Sequence, residues 1–489
     1  MKIINVREGF ACNSSSTHSI ILTNKPVHDD DANGDFGWNY FTAASAEAKT
    51  LWFAITVKHN LTHQLGMDEA TAKLVVEHVC GVWPVDGYVD HQSMISLPRS
   101  WDGKSIDIEF AKDFMKYLLD PRVAIYGGND NDDHDSPPSG DRVYYRSILP
   151  VDQGPDTTGY HQWVSRKDPG GYWSLFDRVS GNRVRVAFDP AKLAVEAQRA
   201  AAPELVDLKI TDFCTYDCPT CYQGSTKQGK HAGEYRVYQV LDAMAAAKVF
   251  EVAIGGGEPT LHPKFNYIVQ HARQKGVVPN FTTRDPKWFL RHRDIIPHIG
   301  GVAVSCDKRD DAEKVVEAIE ELTQPERTAL RQKTSIQHIL GIVDQWEVES
   351  LFRYCRDNNI RLILLGYKNT HRGASGTPKT PKSGTWGDWL QKEINRQRDS
   401  IIPHQLGVDT VLADEVKDFV PDYRITKLEG QFSCYIDAVP ELPQMFSSSF
   451  GSNGPLQLNT REDGWFVDGW KKLTSYKPES AYTYKKMLT

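Results

Sequence analysis

A partial (β/α)6 barrel, set between an N-terminal α+β domain and a C-terminal extension, is the α/β architecture that this sequence predicts. Three observations predict it. From Leu205 onward short apolar runs alternate six times with amphipathic stretches, the texture before that point is uneven, and a Gly-, Pro- and Ser-rich piece, KNTHRGASGTPKTPKSG, breaks the pattern at about residue 370. The boundaries fall at 1–200, 201–375 and 376–489. A chain of 489 residues exceeds the size at which one core stops growing, so several domains are expected.

In the first 200 residues, a short apolar piece at Ile20 to Leu22 and a helical stretch from Ala70 to Val82 are separated by polar loops. Two of those loops are acidic, HDDDANGDFG at 28–37 and GGNDNDDHDSPPSGD at 127–141, and both read as solvated. The first begins like a calcium loop, but Tyr40 stands at the twelfth position, where a bidentate Glu belongs. The run YWSLFDRVSGNRVRVAFDP at 172–190 alternates around Ser-Gly-Asn, which predicts a hairpin, and an Ala-rich linker helix follows.

The six strands of the barrel are read at Val206–Thr211, Glu251–Ile254, Val278–Thr282, Gly301–Ser305, Thr334–Leu340 and Arg361–Leu365. Helices are read at Tyr235–Lys248, Lys264–Lys275, Lys287–His298, Asp311–Leu322 and Gln345–Asp357, with another at Trp386–Arg398 after the break. Parallel strands with outer helices put chemistry at their C-terminal ends.

Composition excludes several classes. Hydrophobic residues at 40% and charged residues at 25% are ordinary for a folded domain, and a net charge of −7 gives no footprint for bulk nucleic-acid binding. No apolar run approaches membrane-spanning length, and the start MKIINVREGF lacks a secretory layout, so no membrane association and a cytoplasmic location are expected. Eight cysteines are too few for a disulfide scaffold, and three of them crowd into KITDFCTYDCPTCYQGS, directly after the first barrel strand. Chance produces that spacing roughly 0.002 times per chain at this composition. Thiolates are soft ligands for zinc or iron–sulfur clusters, and Cys214, Cys218 and Cys221 are enough to hold three irons of a cube while the fourth stays open to a small molecule. At the end of the second strand, Gly255-Gly256-Gly257-Glu258-Pro259 combines glycines, which let backbone approach closely, with a carboxylate suited to an ammonium group.

Together these two motifs resemble the radical S-adenosylmethionine (radical SAM) superfamily, and the resemblance covers about residues 203–370. It implies a [4Fe–4S] cluster on Cys214, Cys218 and Cys221 whose open iron chelates S-adenosylmethionine. It further implies one-electron cleavage of that cofactor to a 5′-deoxyadenosyl radical, and hydrogen abstraction from a substrate. By the same resemblance Gly256, Gly257 and Glu258 face the methionine amino group, Thr282 and Thr283 the carboxylate region, and Ser305 the ribose, with Gln337 and Gly366 as ribose and adenine candidates. Many members carry an aromatic or large apolar residue just before the third cysteine; here Thr220 stands there, with Tyr222 following. A one-electron donor of flavodoxin or ferredoxin type is the implied partner.

Three functional readings compete: a radical enzyme acting on a peptide or protein side chain, the same chemistry on a nucleoside, nucleotide or small metabolite, and a zinc-binding module completed by His231. The peptide reading leads because GGGEPTLHP most resembles relatives that mature peptides and cofactors. Past the fourth strand and the Cys306 that directly follows it, only Cys355 and Cys434 remain, which argues for one cluster. The scattered cysteines, Cys12 and Cys80 among them, read as small buried residues. Cys306 and Cys434 stand as candidate radical relays, and Tyr367, Tyr235, His338 and Arg372 as rim residues near a substrate. Asp90 and His91 with Asn129, Asp130 and His134 lack a regular metal-ligand spacing.

Overall fold

A computed structural model describes residues 2–7, 21–23, 35–36, 41–89, 93–127, 163–189, 199–382, 384–396, 406–412, 430–449 and 455–475. Cys12, nearly all of both acidic loops, the Ala-rich linker and the Asp90/His91/Asn129/Asp130/His134 group lie outside them. The chain divides into two compact units, Met1–Val6 with Cys12–Ala197, and Arg7–Ala11 with Gln198–Thr489.

The first unit is α+β. Helices Ala46–His59, Glu69–Cys80 and Ile108–Leu118 begin at Ser45, Asp68 and Asp107, whose side chains each accept an N–H of the first turn. Trp52, Phe53, Phe110 and Phe114 fill the core, with Trp173 and Leu175 of an antiparallel meander packed into it. The predicted hairpin is present as Tyr172–Asp177 paired with Arg183–Ala187, and Trp163–Asp168 adds a third strand.

In the second unit the six predicted strands form as β1 (Leu205–Thr211), β2 (Glu251–Gly256), β3 (Val278–Thr283), β4 (Gly301–Ser305), β5 (Thr334–Ile339) and β6 (Arg361–Leu365), all parallel and in sequential order. The parallel sheet is eight strands wide rather than six. The C-terminal segment supplies β7 (Leu406–Val408) beside β6 and β8 (Ser433–Asp437) beside β1, and β9 (Gln444–Phe446) and β10 (Leu456–Gln457) continue antiparallel from β8.

Between the strands run α1 (Glu234–Ala246), α2 (Phe265–Gln274), α3 (Trp288–Arg291), α4 (Arg309–Glu320), α5 (Gln324–Lys333) and α6 (Gln345–Asp357), followed by α7 (Trp386–Arg396) and α8 (Trp465–Ser475). The helix predicted over Lys287–His298 stops at α3 and resumes only as a 3-10 turn at Arg293–Ile295. Pro297 accounts for this, because its ring would clash with the carbonyl of Arg293 in a continuous helix. The unpredicted α5 starts at a capping box, Thr323 with Glu326.

One strand face is sealed and the other is not. Val206, Leu208, Ile210, Val252, Ile254, Val302, Val304 and Ile336 are buried with Val237, Val240, Leu241 and Met244 of α1 and the apolar faces of the other helices. Each such side chain contributes about 1.5–3 kcal/mol of burial. On the opposite, inner face Ala253, Gly255, Asn280, Thr282, Ala303, Ser305, Gln337 and Ile363 remain half-buried. Among the described residues no helix is long and apolar enough to cross a membrane.

Candidate active site

The cysteines sit on a loop stitched to its own stem. Beyond β1, Asp212 N donates to Lys230 O at 2.8 Å, Cys214 N to Thr226 O at 3.0 Å, and Thr226 N to Asp212 O at 3.2 Å, so residues 212–232 fold back as a narrow ribbon. Only glycine fits at 229, where a Cβ would stand 2.1 Å from the Asp212 carbonyl. Asp217 adopts a positive φ of 48° in the turn between Cys214 and Cys218. All three thiols are half-buried and free. Burial pushes the Cys214 and Cys218 thiols up; amide donors oppose this at Cys214, as does the Arg284 charge at Cys218. Among the described residues no three His, Cys, Asp or Glu side chains are gathered into a finished metal site.

The glycine–glutamate loop is fastened to that ribbon. Gly257 N donates to Thr211 O at 2.7 Å and Glu258 N to Phe213 O at 3.0 Å. A Cβ at Gly256, whose φ is +119°, would meet Thr211 O at 2.2 Å, and one at Gly257 would meet Phe213 O at 2.1 Å. These two glycines therefore face the cysteine-loop stem. Gly255 is the open one, with nothing within 4 Å of its Cβ position.

Glu258 is 3% exposed. Its Oε1 accepts from Thr260 Oγ1 at 2.6 Å, Thr283 Oγ1 at 2.8 Å and Thr260 N at 3.3 Å, and its Oε2 accepts from Arg284 N at 3.0 Å. Burial raises its pKa above the usual carboxylate value, and these donors pull it back. The carboxylate thus ties the second strand end to the third, with Oε2 keeping acceptor capacity.

Thr283 is committed to that link, since its hydroxyl also accepts from Asp285 N at 3.0 Å. Thr282 instead lies on the half-buried inner face, in register with Ala303, and Ser305 lies in register with Gln337 and Gln337 with Ile363. Gly366 is packed, because its N–H is taken by Asp409 Oδ1 at 3.0 Å and a Cβ would collide with Val411 Cγ1 at 2.3 Å.

Thiols on a loop after the first strand, fastened to a glycine–glutamate loop after the second and bordered by an open polar inner face, are the parts that a family comparison can decide. Residues 208–361 match the radical SAM superfamily. This segment is a radical SAM domain. Mycofactocin maturase MftC of Mycobacterium ulcerans strain Agy99 is 34% identical over 85 residues, 17% of this chain and 22% of that protein. The protein of the same name from Mycobacterium tuberculosis strain ATCC 25618 / H37Rv is 34% identical over 85 residues, 17% and 21% respectively. The chain thus matches about a fifth of the length of these curated relatives. Among solved structures, Streptococcus suis SuiB bound to S-adenosylmethionine shares 10% identity with a TM-score of 0.49, covering 66% of this chain and 91% of that one. Native anSMEcpe with bound AdoMet and Kp18Cys peptide shares 13% with a TM-score of 0.39, covering 55% and 83%.

Within and beside the radical SAM domain, several sequence-predicted residues stand elsewhere than expected. Cys306 and Cys434 are buried in the apolar core beneath the helices, where burial pushes the Cys306 thiol up to about 12 and raises Cys434 as well. Alternation along β8 puts Cys434 on the face of Val206, its register partner, away from the inner face. His338 is also buried, with Nδ1 at 3.0 Å from Cys306 O. Tyr367 is used internally, donating to Gly373 O at 2.9 Å, while Tyr235 is 75% exposed on α1. His231 is held by Thr211 Oγ1 at 2.8 Å and packs against Phe213 and His262.

Sequence reasoning also missed residues. Arg284 forms a fork with Asp307, at 3.1 and 2.8 Å, between the ends of β3 and β4. Burial works against its charge, but Asp307 keeps it firmly protonated beside Cys218. Lys209 is pinned between Asp212 at 2.5 Å and Asp437 at 3.1 Å, and Tyr435 Oη reaches Gln223 Oε1 of the cysteine loop at 3.3 Å. The last two contacts come from β8. No periodicity in the C-terminal segment pointed to that strand.

Proposed function

We propose that this protein is a radical SAM enzyme that reductively cleaves S-adenosylmethionine and abstracts hydrogen from a peptide or protein side chain. The observation that carries the reading is the half-buried cysteine loop, held by backbone hydrogen bonds against a glycine–glutamate loop at the mouth of a parallel sheet.

The donor set fits a [4Fe–4S] cluster. Cys214, Cys218 and Cys221 would hold three irons, since soft thiolates gathered on one half-buried loop suit such a cluster. When bound, the pair of cofactors supplies one-electron cleavage to methionine and a 5′-deoxyadenosyl radical, which takes a hydrogen atom from the substrate. This chain's residues place and enclose the participants. Gly255 leaves room beside the cysteine loop for a methionine amino group, and Glu258, fixed by Thr260, Thr283 and Arg284 N, presents Oε2 near it. Thr282, Ser305 and Gln337 offer hydroxyl and amide groups along the inner face for the carboxylate and ribose.

The maturase match supports a peptide substrate. An external one-electron donor of flavodoxin or ferredoxin type is part of the same proposal. A cytoplasmic site of action is consistent with seven described cysteines that are all free thiols.

Anaerobic reconstitution with iron and sulfide, reduction by dithionite and mass detection of 5′-deoxyadenosine test the reading. Wild type is expected to form it, and Cys218→Ala is not. Formation at the wild-type rate by Cys218→Ala refutes the assignment.

A further inference from the structure

The segment after β6 reaches back over the cysteine loop. Arg372 Nε donates to Cys218 O at 2.9 Å and its Nη1 donates to Ser225 O at 2.9 Å, with Asp217 Oδ1 3.7 Å from the same nitrogen. Thr370 Oγ1 donates to Tyr222 O at 3.2 Å, and the Lys368 ammonium lies over the Tyr222 ring at 4.4 Å. The two segments also pack closely beside these bonds, for a Cβ at Gly224 would meet the His371 side chain at Nδ1, 2.9 Å away, and one at Gly373 would meet Thr220 O at 3.6 Å. The segment has its own footing. Gly366 N is held by Asp409 after β7, and Tyr367 Oη donates to Gly373 O.

The geometry points to Arg372 as a positioning residue for the metal-binding loop, a role that rests on the cluster reading above. Cys218 begins the stretch that Arg372 spans and Cys221 lies inside it, and Cys221 N already donates to Cys218 O. One planar guanidinium with two donors in fixed directions therefore sets the spacing between the Cys218 peptide and the Ser225 peptide. A lysine carries one flexible donor group and is not built to hold both carbonyls in that fork. Asp217 is 82% exposed, so the ion pair is the minor part of the anchorage and the two carbonyl bonds are the major part. The loop is thereby shaped by the segment that follows β6 before any metal arrives.

Two readouts test this on the full-length protein, one without the cluster and one with it. In apo protein, amide hydrogen exchange over residues 217–226 is expected to accelerate at least about tenfold in Arg372→Gln, partly in Arg372→Lys and least in Thr370→Val, with α1 and α2 unchanged. In reconstituted protein, iron loss to a ferrous chelator is expected to follow the same order. Unchanged exchange in Arg372→Gln overturns the proposal, and so does faster exchange that spreads equally over α1 and α2, which reports general loosening. Wild type that takes up no iron sinks the cluster reading alone, because the exchange comparison still decides whether Arg372 shapes the loop.

Discussion

Gly257→Ala tests the claim that the glycines of the second strand end exist to let the cysteine-loop stem approach. The added Cβ would stand 2.1 Å from Phe213 O and 2.7 Å from its carbonyl carbon, and reaching ordinary contact at 3.4 Å takes about 1.3 Å of backbone movement. That movement breaks the Glu258 N to Phe213 O bond, now 3.0 Å, and strains the Gly257 N to Thr211 O bond, now 2.7 Å. Overpacking costs about 1–3 kcal/mol and each lost hydrogen bond about 1 kcal/mol, so the variant is expected to lose about 3–5 kcal/mol. A displacement of about 1 Å at a reacting group also costs on the order of 100-fold in rate. Gly255→Ala is the matched control, because its methyl meets nothing and stability should hold or rise slightly. Its 5′-deoxyadenosine yield should nevertheless fall, since the methyl enters the space assigned to the cofactor. Thermal unfolding, iron content and product formation separate the two. Gly257→Ala with wild-type melting and turnover would show that the close approach does not matter.

Three further outcomes follow from the same geometry. Glu258→Gln sets amide hydrogens against either Arg284 N–H or Thr260 N–H whichever way it is turned, so it should cost about 1–3 kcal/mol by denaturant titration as well as product formation. Cys306→Ala and Cys434→Ala remove one buried heavy atom each, at about 1 kcal/mol, and both should keep the wild-type rate of 5′-deoxyadenosine formation and of substrate turnover. Lys333 has its ammonium pushed down to about 8, chiefly by burial and secondarily by Arg273, while donating to Ile296 O and Ile299 O. The unfolded chain holds this proton up to about pH 10.5 and the folded one releases it near 8. Melting temperature should therefore rise between those values by the equivalent of up to about 3 kcal/mol, and Lys333→Met should flatten that rise.

The parts of this protein legible in the sequence are those whose signal is local. Six strands announced themselves by short apolar runs, because their outer residues are sealed under helices, and three cysteines within eight residues needed no partner elsewhere to be noticed. What escaped was set by contacts between distant segments. Arg372 reads from the sequence only as a rim residue near a substrate, because it sits in a Gly- and Pro-rich piece with no periodicity and its targets, the Cys218 and Ser225 carbonyls, are backbone atoms that no residue type reveals. Gly256 and Gly257 were expected to face a ligand, and they face Thr211 and Phe213, because the same lack of a side chain serves either neighbour. Thr282 and Thr283 look alike in sequence. Strand alternation sends Thr283 to Glu258 and Thr282 to the inner face.

The eighth parallel strand changes what the C-terminal segment is for. With six strands alone β1 would be an edge, carrying the cysteine loop at its end while one row of its backbone groups stayed unpaired, and edge strands are where a sheet frays and pairs wrongly. In the structure β8 lies alongside in parallel register, from Leu205 with Ser433 to Lys209 with Asp437, and Ala438 N donates to Lys209 O at 3.0 Å. The pairing also delivers Asp437 to Lys209 and Tyr435 to Gln223, so the buried ammonium below the loop has two carboxylates and the loop gains a contact from that side. Arg236 of α1 then fastens the strand's exit by donating to Ala438 O and Val439 O at 3.1 and 3.2 Å. Held by β8 on one side and by the Arg372 segment from β6 on the other, the cysteine loop is fixed by both flanks of the sheet. Neither flank is part of the cysteine motif.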